Sequence, residues 1–91
     1  MLMQLDERDN VAVCLTDAKA GQALAFGEAT VSCLTDIPFG HKCALTDIAS
    51  GELIVKYGCP IGVATADVKR GEIVREHNMR GLRGRGDLEK A

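Results

Sequence analysis

The chain of 91 residues has no tryptophan and only three aromatic side chains, Phe26, Phe39 and Tyr57. Its core must therefore be built from Val, Leu, Ile, Ala and Cys. Each of these buries less surface than an aromatic, and a chain this short buries a modest core in any case. Burial against another chain, a larger partner or a second copy, is a natural supplement. A basic surface is also missing. The formal net charge is −2, which argues against general nucleic-acid binding, since that needs cations to displace counterions. No apolar run approaches the roughly 20 residues of a membrane-spanning helix, so no membrane partner is expected. Met1 to Asn10 lacks the basic start and apolar middle of a signal peptide, and a cytoplasmic location is the expectation.

None of the four cysteines, Cys14, Cys33, Cys43 and Cys59, falls in a C-x-x-C pair. A zinc ribbon or thioredoxin-type motif is therefore not signalled. Cys14, Cys33 and Cys43 lie in apolar runs and are expected as buried, inert thiols, with Cys59 exposed in a turn before Pro60. Phosphate loops, dinucleotide fingerprints, nucleophile elbows and H-E-x-x-H are all absent. Two histidines and scattered aspartates give no ligand spacing, so the metal ligands of this chain stay unknown. The short Arg83-Gly84-Arg85-Gly86-Asp87 segment has no stacking platform beside it and is poor evidence for RNA binding.

What the sequence does contain is a repeated device. Asp-x-x-x-Gly occurs four times, as Asp17–Gly21, Asp36–Gly40, Asp47–Gly51 and Asp67–Gly71. Asp accepts free backbone N–H groups at the start of a helical turn, and Gly four residues on adopts the left-handed conformation that ends it. Each unit reads as a single helical turn that reverses the chain. Short runs rich in β-branched residues flank these units, such as Val11–Leu15, Ala29–Leu34, Leu53–Tyr57 and Ile61–Ala64. They fit strands, and no stretch keeps a helical period. The expected fold is mostly β, a compact set of short strands with single helical turns. The expected domain spans residues 9–78, with an N-terminal extension at 1–8 and a flexible tail at 79–91.

Few residues suit chemistry. His41 follows Gly40 and precedes Lys42, so an imidazole and a cation stand side by side after a turn. His77-Asn78 ends the last strand-like run, with Arg75 two residues before His77. Imidazoles at strand ends can pass a proton near neutral pH, and the cations suit a carboxylate. The plainer reading is that these are surface groups or turn hydrogen-bond donors.

Several segments carry a family resemblance. They are Asp9–Val13, Ile37-Pro38-Phe39-Gly40-His41-Lys42-Cys43-Ala44-Leu45, Ile48–Gly51, Val55-Lys56-Tyr57-Gly58, Ile61–Thr65 and Gly71–Asn78. In that order and spacing they resemble the N-terminal SAF domain of the altronate/galactarate dehydratase family. The resemblance implies a β-clip fold and a role as a stand-alone small subunit, or as the N-terminal domain, of a sugar-acid hydro-lyase. Such enzymes remove a proton next to a carboxylate and expel a hydroxyl, with a divalent metal, usually iron, in the full enzyme. The main catalytic body would be a large subunit, and this chain would be inactive alone. The candidate site set is then His41 and His77 as catalytic groups, with Lys42, Lys56, Arg75 and Asn78 binding substrate. One position departs from the family pattern, because Arg75 stands where many members carry a second histidine. A sulfolactate sulfo-lyase small subunit, or a non-catalytic module that binds carbohydrate acids or assists assembly, fits the same segments.

Overall fold

The computed structural model describes residues 1–81, and within them every regular element is a strand. The strands are β1 (Leu2–Met3), β2 (Val11–Cys14), β3 (Ala23–Phe26), β4 (Ala29–Ser32), β5 (Lys42–Ala44), β6 (Leu53–Lys56), β7 (Cys59–Ala64), β8 (Ile73–Val74) and β9 (Met79–Gly81). They form a central sheet of order β1-β2-β5-β8, a hairpin β3-β4 and a sheet β6-β7-β9, all antiparallel. The mostly-β expectation holds. Among the described residues no helix is long and apolar enough to cross a membrane.

The expected helical turns are absent, and the hydrogen bonds show why. A helical cap would use each Asp to bond the N–H groups just after it. Those N–H groups are taken by other partners. Instead, each Asp bonds a different unit. Asp17 Oδ1 accepts from Phe39 N–H at 2.8 Å and Asp36 Oδ1 from Ala20 N–H at 2.9 Å. Asp47 Oδ1 accepts from Arg70 N–H and Asp67 Oδ1 from Ser50 N–H, both at 2.9 Å. The four units are thus two reciprocal pairs, and an antiparallel bridge seals each one, Ala18 with Ile37 and Ile48 with Val68. We call each pair a clasp.

The glycines keep their expected conformation. Gly21, Gly40, Gly51 and Gly71 have φ between 85° and 92°. Each is the third residue of a four-residue turn, closed by the bonds Gln22 N–H to Lys19 O, His41 N–H to Pro38 O, Glu52 N–H to Ala49 O and Glu72 N–H to Lys69 O. This is the type II geometry, which needs a positive φ there. Gly71 carries a second constraint, since an added Cβ would run into the Ser32 carbonyl oxygen.

The clasps divide the chain into two similar halves. Each runs strand, clasp unit, hairpin, clasp unit: β2, Asp17–Gly21, β3-β4, Asp36–Gly40, then β5, Asp47–Gly51, β6-β7, Asp67–Gly71. Equivalent residues build equivalent cores. The first cluster includes Cys14, Ala18, Leu24, Cys33 and Ile37. The second has Ala44, Ile48, Ile54, Ala64 and Val68 at the corresponding places. The central sheet separates the two, since Cys43 and Ile73 face the first cluster while Ala44 and Val74 face the second. Cys14, Cys33 and Cys43 are buried and Cys59 is exposed, as the sequence suggested. Burial pushes the Cys43 thiol up to about 12, which leaves it unreactive at neutral pH.

The boundaries at 9 and 78 leave out β1 and β9, two strands that pair with the rest of the domain. Leu2 is buried and β1 pairs with β2, while β9 pairs with β7. The N-terminal eight residues are held by burial of Leu2 and by hydrogen bonds to Asp9, so they belong to the sheet. Of the tail expected at 79–91, the part beyond residue 81 lies outside the described residues.

Asp67→Ala should cost about 1 kcal/mol in urea unfolding, the usual worth of a capping side chain. Gly71→Ala should cost several times more, because both φ and space forbid the methyl group. Equal, negligible losses at both positions would contradict the clasp.

Candidate functional site

The four turns provide an internal control for His41. In three of them the residue after Gly is Gln or Glu, and its side chain closes the turn. Gln22 Oε1 accepts from Lys19 N–H at 3.1 Å, Glu52 Oε1 from Ala49 N–H at 2.6 Å and Glu72 Oε1 from Lys69 N–H at 3.0 Å. In the fourth turn the donor position is Pro38, which has no N–H, and the acceptor position is His41. The imidazole is thereby released from the bond its counterparts make. Its Nδ1 is buried and lacks a hydrogen-bond partner, the one such side-chain atom among the described residues. A buried polar atom without a partner costs free energy, roughly 1–3 kcal/mol, and calls for an explanation.

The backbone fixes His41 firmly. Gly40 N–H donates to the Cys14 carbonyl at 2.8 Å, and Cys14 N–H donates to the His41 carbonyl at 2.9 Å. These bonds extend the β2–β5 ladder by one residue. The ladder of β5 with β8 pairs Lys42 with Val74 and Cys43 with Ile73. The next step of that register sets His41 opposite Arg75.

Arg75 opens a tight turn, Arg75-Glu76-His77-Asn78, closed by Asn78 N–H to Arg75 O at 3.0 Å. Asn78 was expected to bind substrate, and its position corrects that. Its side chain is buried, accepts from Arg75 N–H at 2.9 Å and donates to the Ile73 carbonyl at 2.9 Å. The amide builds the turn and is turned away from solvent. Glu76 and His77 are left as exposed tips. Arg75, Glu76 and His77 line a surface groove with Asp36, Pro38 and Ile73. The Glu76 carboxyl is held below the usual carboxylate range, first by its own backbone N–H, then by the Arg75 guanidinium, with smaller pulls from His41 and His77. Glu76 shares the groove with Arg75 and His77, and the sequence reading passed over it.

Lys42 and Lys56 lie on the other face of this sheet end. Lys42 shares its row with Val13 and Val74, on the face of the second core cluster. Burial, and then repulsion from Lys56, lower the Lys42 amine, while Glu76 draws it back up. Lys56 Nζ stands 5.1 Å from the centroid of the Tyr57 ring. Tyr57 is exposed and has a φ of 59°, the one non-glycine residue with positive φ among the described residues. The buried Asp9 carboxylate holds it there, accepting from Tyr57 N–H at 3.1 Å and Gly58 N–H at 2.8 Å. Asn10 clamps the same hairpin through Val55 N–H and the Leu53 carbonyl.

Of the residues singled out from the sequence, Arg75 and His77 line one groove, and the register sets His41 opposite Arg75. The sequence reading missed Glu76 and Tyr57. Aligning the four Asp-x-x-x-Gly units would have exposed the Pro38/His41 exception, and lining up the two hairpins would have exposed Tyr57. Among the described residues, no group of three or more His, Cys, Asp or Glu side chains is arranged to hold a metal ion. The described residues do not by themselves fit the iron that the resemblance implies for a full enzyme.

The sequence model of the altronate/galactarate dehydratase SAF domain matches residues 1–82. Altronate dehydratase of Escherichia coli (strain K12) is 49% identical over 72 residues, covering 79% of this chain and 14% of that protein. Altronate dehydratase of Bacillus subtilis (strain 168) is 37% identical over 78 residues, covering 86% of this chain and 16% of that protein. The (2R)-sulfolactate sulfo-lyase subunit alpha of Chromohalobacter salexigens is 41% identical over 44 residues, covering 48% of this chain and 47% of that subunit. The chain matches only a small part of the length of the two dehydratases.

Replacing Pro38 with Ala and His41 with Gln gives the fourth turn the residues of its counterparts. The added turn bond and the lost proline rigidity are each worth about 1 kcal/mol or less and oppose one another. The double variant should therefore unfold within about 1 kcal/mol of the parent. A loss of several kcal/mol would show that His41 is a structural residue.

Proposed function

The chain belongs to the altronate/galactarate dehydratase SAF-domain family, and on that premise we propose that it is the small subunit or N-terminal domain of a sugar-acid hydro-lyase. It contributes His41, Arg75 and His77 to an active site completed by a large catalytic region. The observation that carries this reading is the released His41 imidazole, buried at Nδ1 without a partner beside a groove that holds a second histidine and a guanidinium. A fold alone does not fix function, but a histidine that its own repeat could have used structurally and did not is a specific signal.

The chemistry suits the residues. Removing a proton next to a carboxylate needs a base, and expelling hydroxide needs an acid. An imidazole serves in either role near neutral pH. Arg75 offers a planar pair of donors for a carboxylate or hydroxyls, a different contact from the second histidine of other family members. Glu76 lines the same groove as Arg75 and His77 and sets a carboxylate beside them. The sulfo-lyase reading keeps the same residues and changes only the leaving group, and the resemblance to a subunit alpha over about half of each chain supports it.

The isolated chain should turn over neither altronate nor galactarate. In a complex reconstituted with a large catalytic chain, His41→Ala should leave assembly intact and lower turnover by roughly a hundredfold or more, with His77→Ala also impaired. Parental rates in both variants would make the domain an assembly module.

A further inference from the structure

One face of the central sheet is fully covered and the other only in part, and the likeness of the two halves locates the bare part. Because β2 corresponds to β5, Val13 corresponds to Cys43 and Leu15 to Leu45. Their neighbours correspond too, since Met3 pairs with Val13 as Ile73 pairs with Cys43. Ile73, Cys43 and Leu45 all pack in the first cluster with Leu24 and Val31 of the β3-β4 hairpin. Met3, Val13 and Leu15 belong to neither cluster. Met3 is 39% exposed and Leu15 37%, where Ile73 is 7% and Cys43 0%.

These side chains share one face. Side chains alternate along a strand, and Val11, two residues before Val13, faces the second cluster. Met1 joins them, because Leu15 N–H donates to the Met1 carbonyl at 2.9 Å and carries the β1–β2 ladder one step further. Met1, Met3, Val13 and Leu15 thus form a contiguous apolar patch at the open end of the second cluster. The sequence explains why this end stays open. Where the first half has Ala12 and Phe26, which close the space between strand and hairpin with hydrocarbon, the second has Lys42 and Lys56. Both lysines are half-buried, and neither forms a salt bridge among the described residues, where the ion pairs are Arg8–Asp6 and Lys19–Asp36. At the hairpin tip the exposed Tyr57 stands beside Lys56, where the first half has Gly27.

An apolar centre with a charged rim is the anatomy of a protein interface. The rim cations without partners call for carboxylates on the other side. A second copy does not supply them, because a two-fold contact sets the patch against itself and brings lysines to lysines. An anionic lipid surface is disfavoured by the net charge of −2. A larger chain remains, and the dehydratase of Escherichia coli matches this chain over only 14% of its own length, so a domain of this kind there shares its chain with a much larger body. The patch is also well placed. Cys14, next to Leu15, accepts from Gly40 N–H and donates to the His41 carbonyl, so the apolar face runs up to the His41 turn.

We propose that Met1, Met3, Val13 and Leu15 form the surface on which a large catalytic chain docks, apolar side chains of that chain covering the patch and its carboxylates meeting Lys42 and Lys56. The inference rests on the reading of this chain as one part of a larger hydro-lyase, and it adds the face by which the parts are joined.

The test measures affinity of the full chain for the large catalytic chain by isothermal titration calorimetry. Met3→Glu and Leu15→Glu place a carboxylate where the partner brings its own. Each should raise the dissociation constant roughly tenfold or more. Neither should shift the melting temperature of the chain alone by more than a few degrees, since both side chains are already exposed. Leu34→Glu, at an apolar side chain exposed outside the patch, should bind like the parent. Parental affinity should fall as salt rises, because charged rims are screened. Parental affinity in both patch variants, an equal loss in Leu34→Glu, or a salt-independent complex would overturn the docking surface while leaving the proposed function standing. Patch variants that instead abolish a dimer of this chain, or binding to anionic phospholipid vesicles, would give the face to a second copy or to lipid and overturn the proposal likewise. A parental chain that binds no large catalytic chain would remove the proposed function together with it.

Discussion

The fold depends on aspartates that cap one another's turns. Each of Asp17, Asp36, Asp47 and Asp67 satisfies an N–H of the opposite unit in its pair, and a short antiparallel bridge joins the two units. With so few aromatics, the chain cannot rely on large side chains to fix its geometry. It uses hydrogen bonds at chain reversals, backed by small cores of Val, Ile, Leu, Ala and Cys. Because each cap lies across the clasp, it ties residues distant in sequence, as from Asp47 to Arg70, and binds the ends of each hairpin together.

Repetition of this device makes its exceptions informative. A residue that serves the frame has a counterpart doing the same job elsewhere in the chain. His41 has three counterparts that close their turns, and it does not. Lys42, Lys56 and Tyr57 have the counterparts Ala12, Phe26 and Gly27, which serve the core and the turn. His41 and Lys42 stand at one end of the central sheet within electrostatic reach of Glu76, and Lys56 and Tyr57 lie at the tip of the β6-β7 hairpin. The frame is symmetric, and the proposed chemistry sits where the symmetry is broken.

Much of this was legible from the residues. Short β-branched runs and Gly-ended turns implied a mostly-β fold, and the order of segments from Asp9 to Asn78 implied the family. The partners of the aspartates were not legible. Local pattern shows that Asp is a good cap but does not reveal which N–H it meets when strand pairing brings a distant turn alongside. Asn78 misled for a related reason, since a polar residue beside a histidine looks available until its burial in a turn is known. Asp9 and Asn10 were visible only as part of a resemblance, although their side chains hold the second hairpin across a long sequence separation.

The proposed working edge of the domain comprises residues 38–42, 56–58 and 74–78, and the clasp turns around Gly21, Gly51 and Gly71 are structural. Hydrogen exchange of the chain, alone and bound to a large catalytic chain, reads this directly. Added protection on binding should concentrate in the three working segments and leave the amides of Ala20, Ser50 and Arg70 unchanged. Protection centred on those clasp amides, with the His41 and His77 segments unaffected, would contradict it.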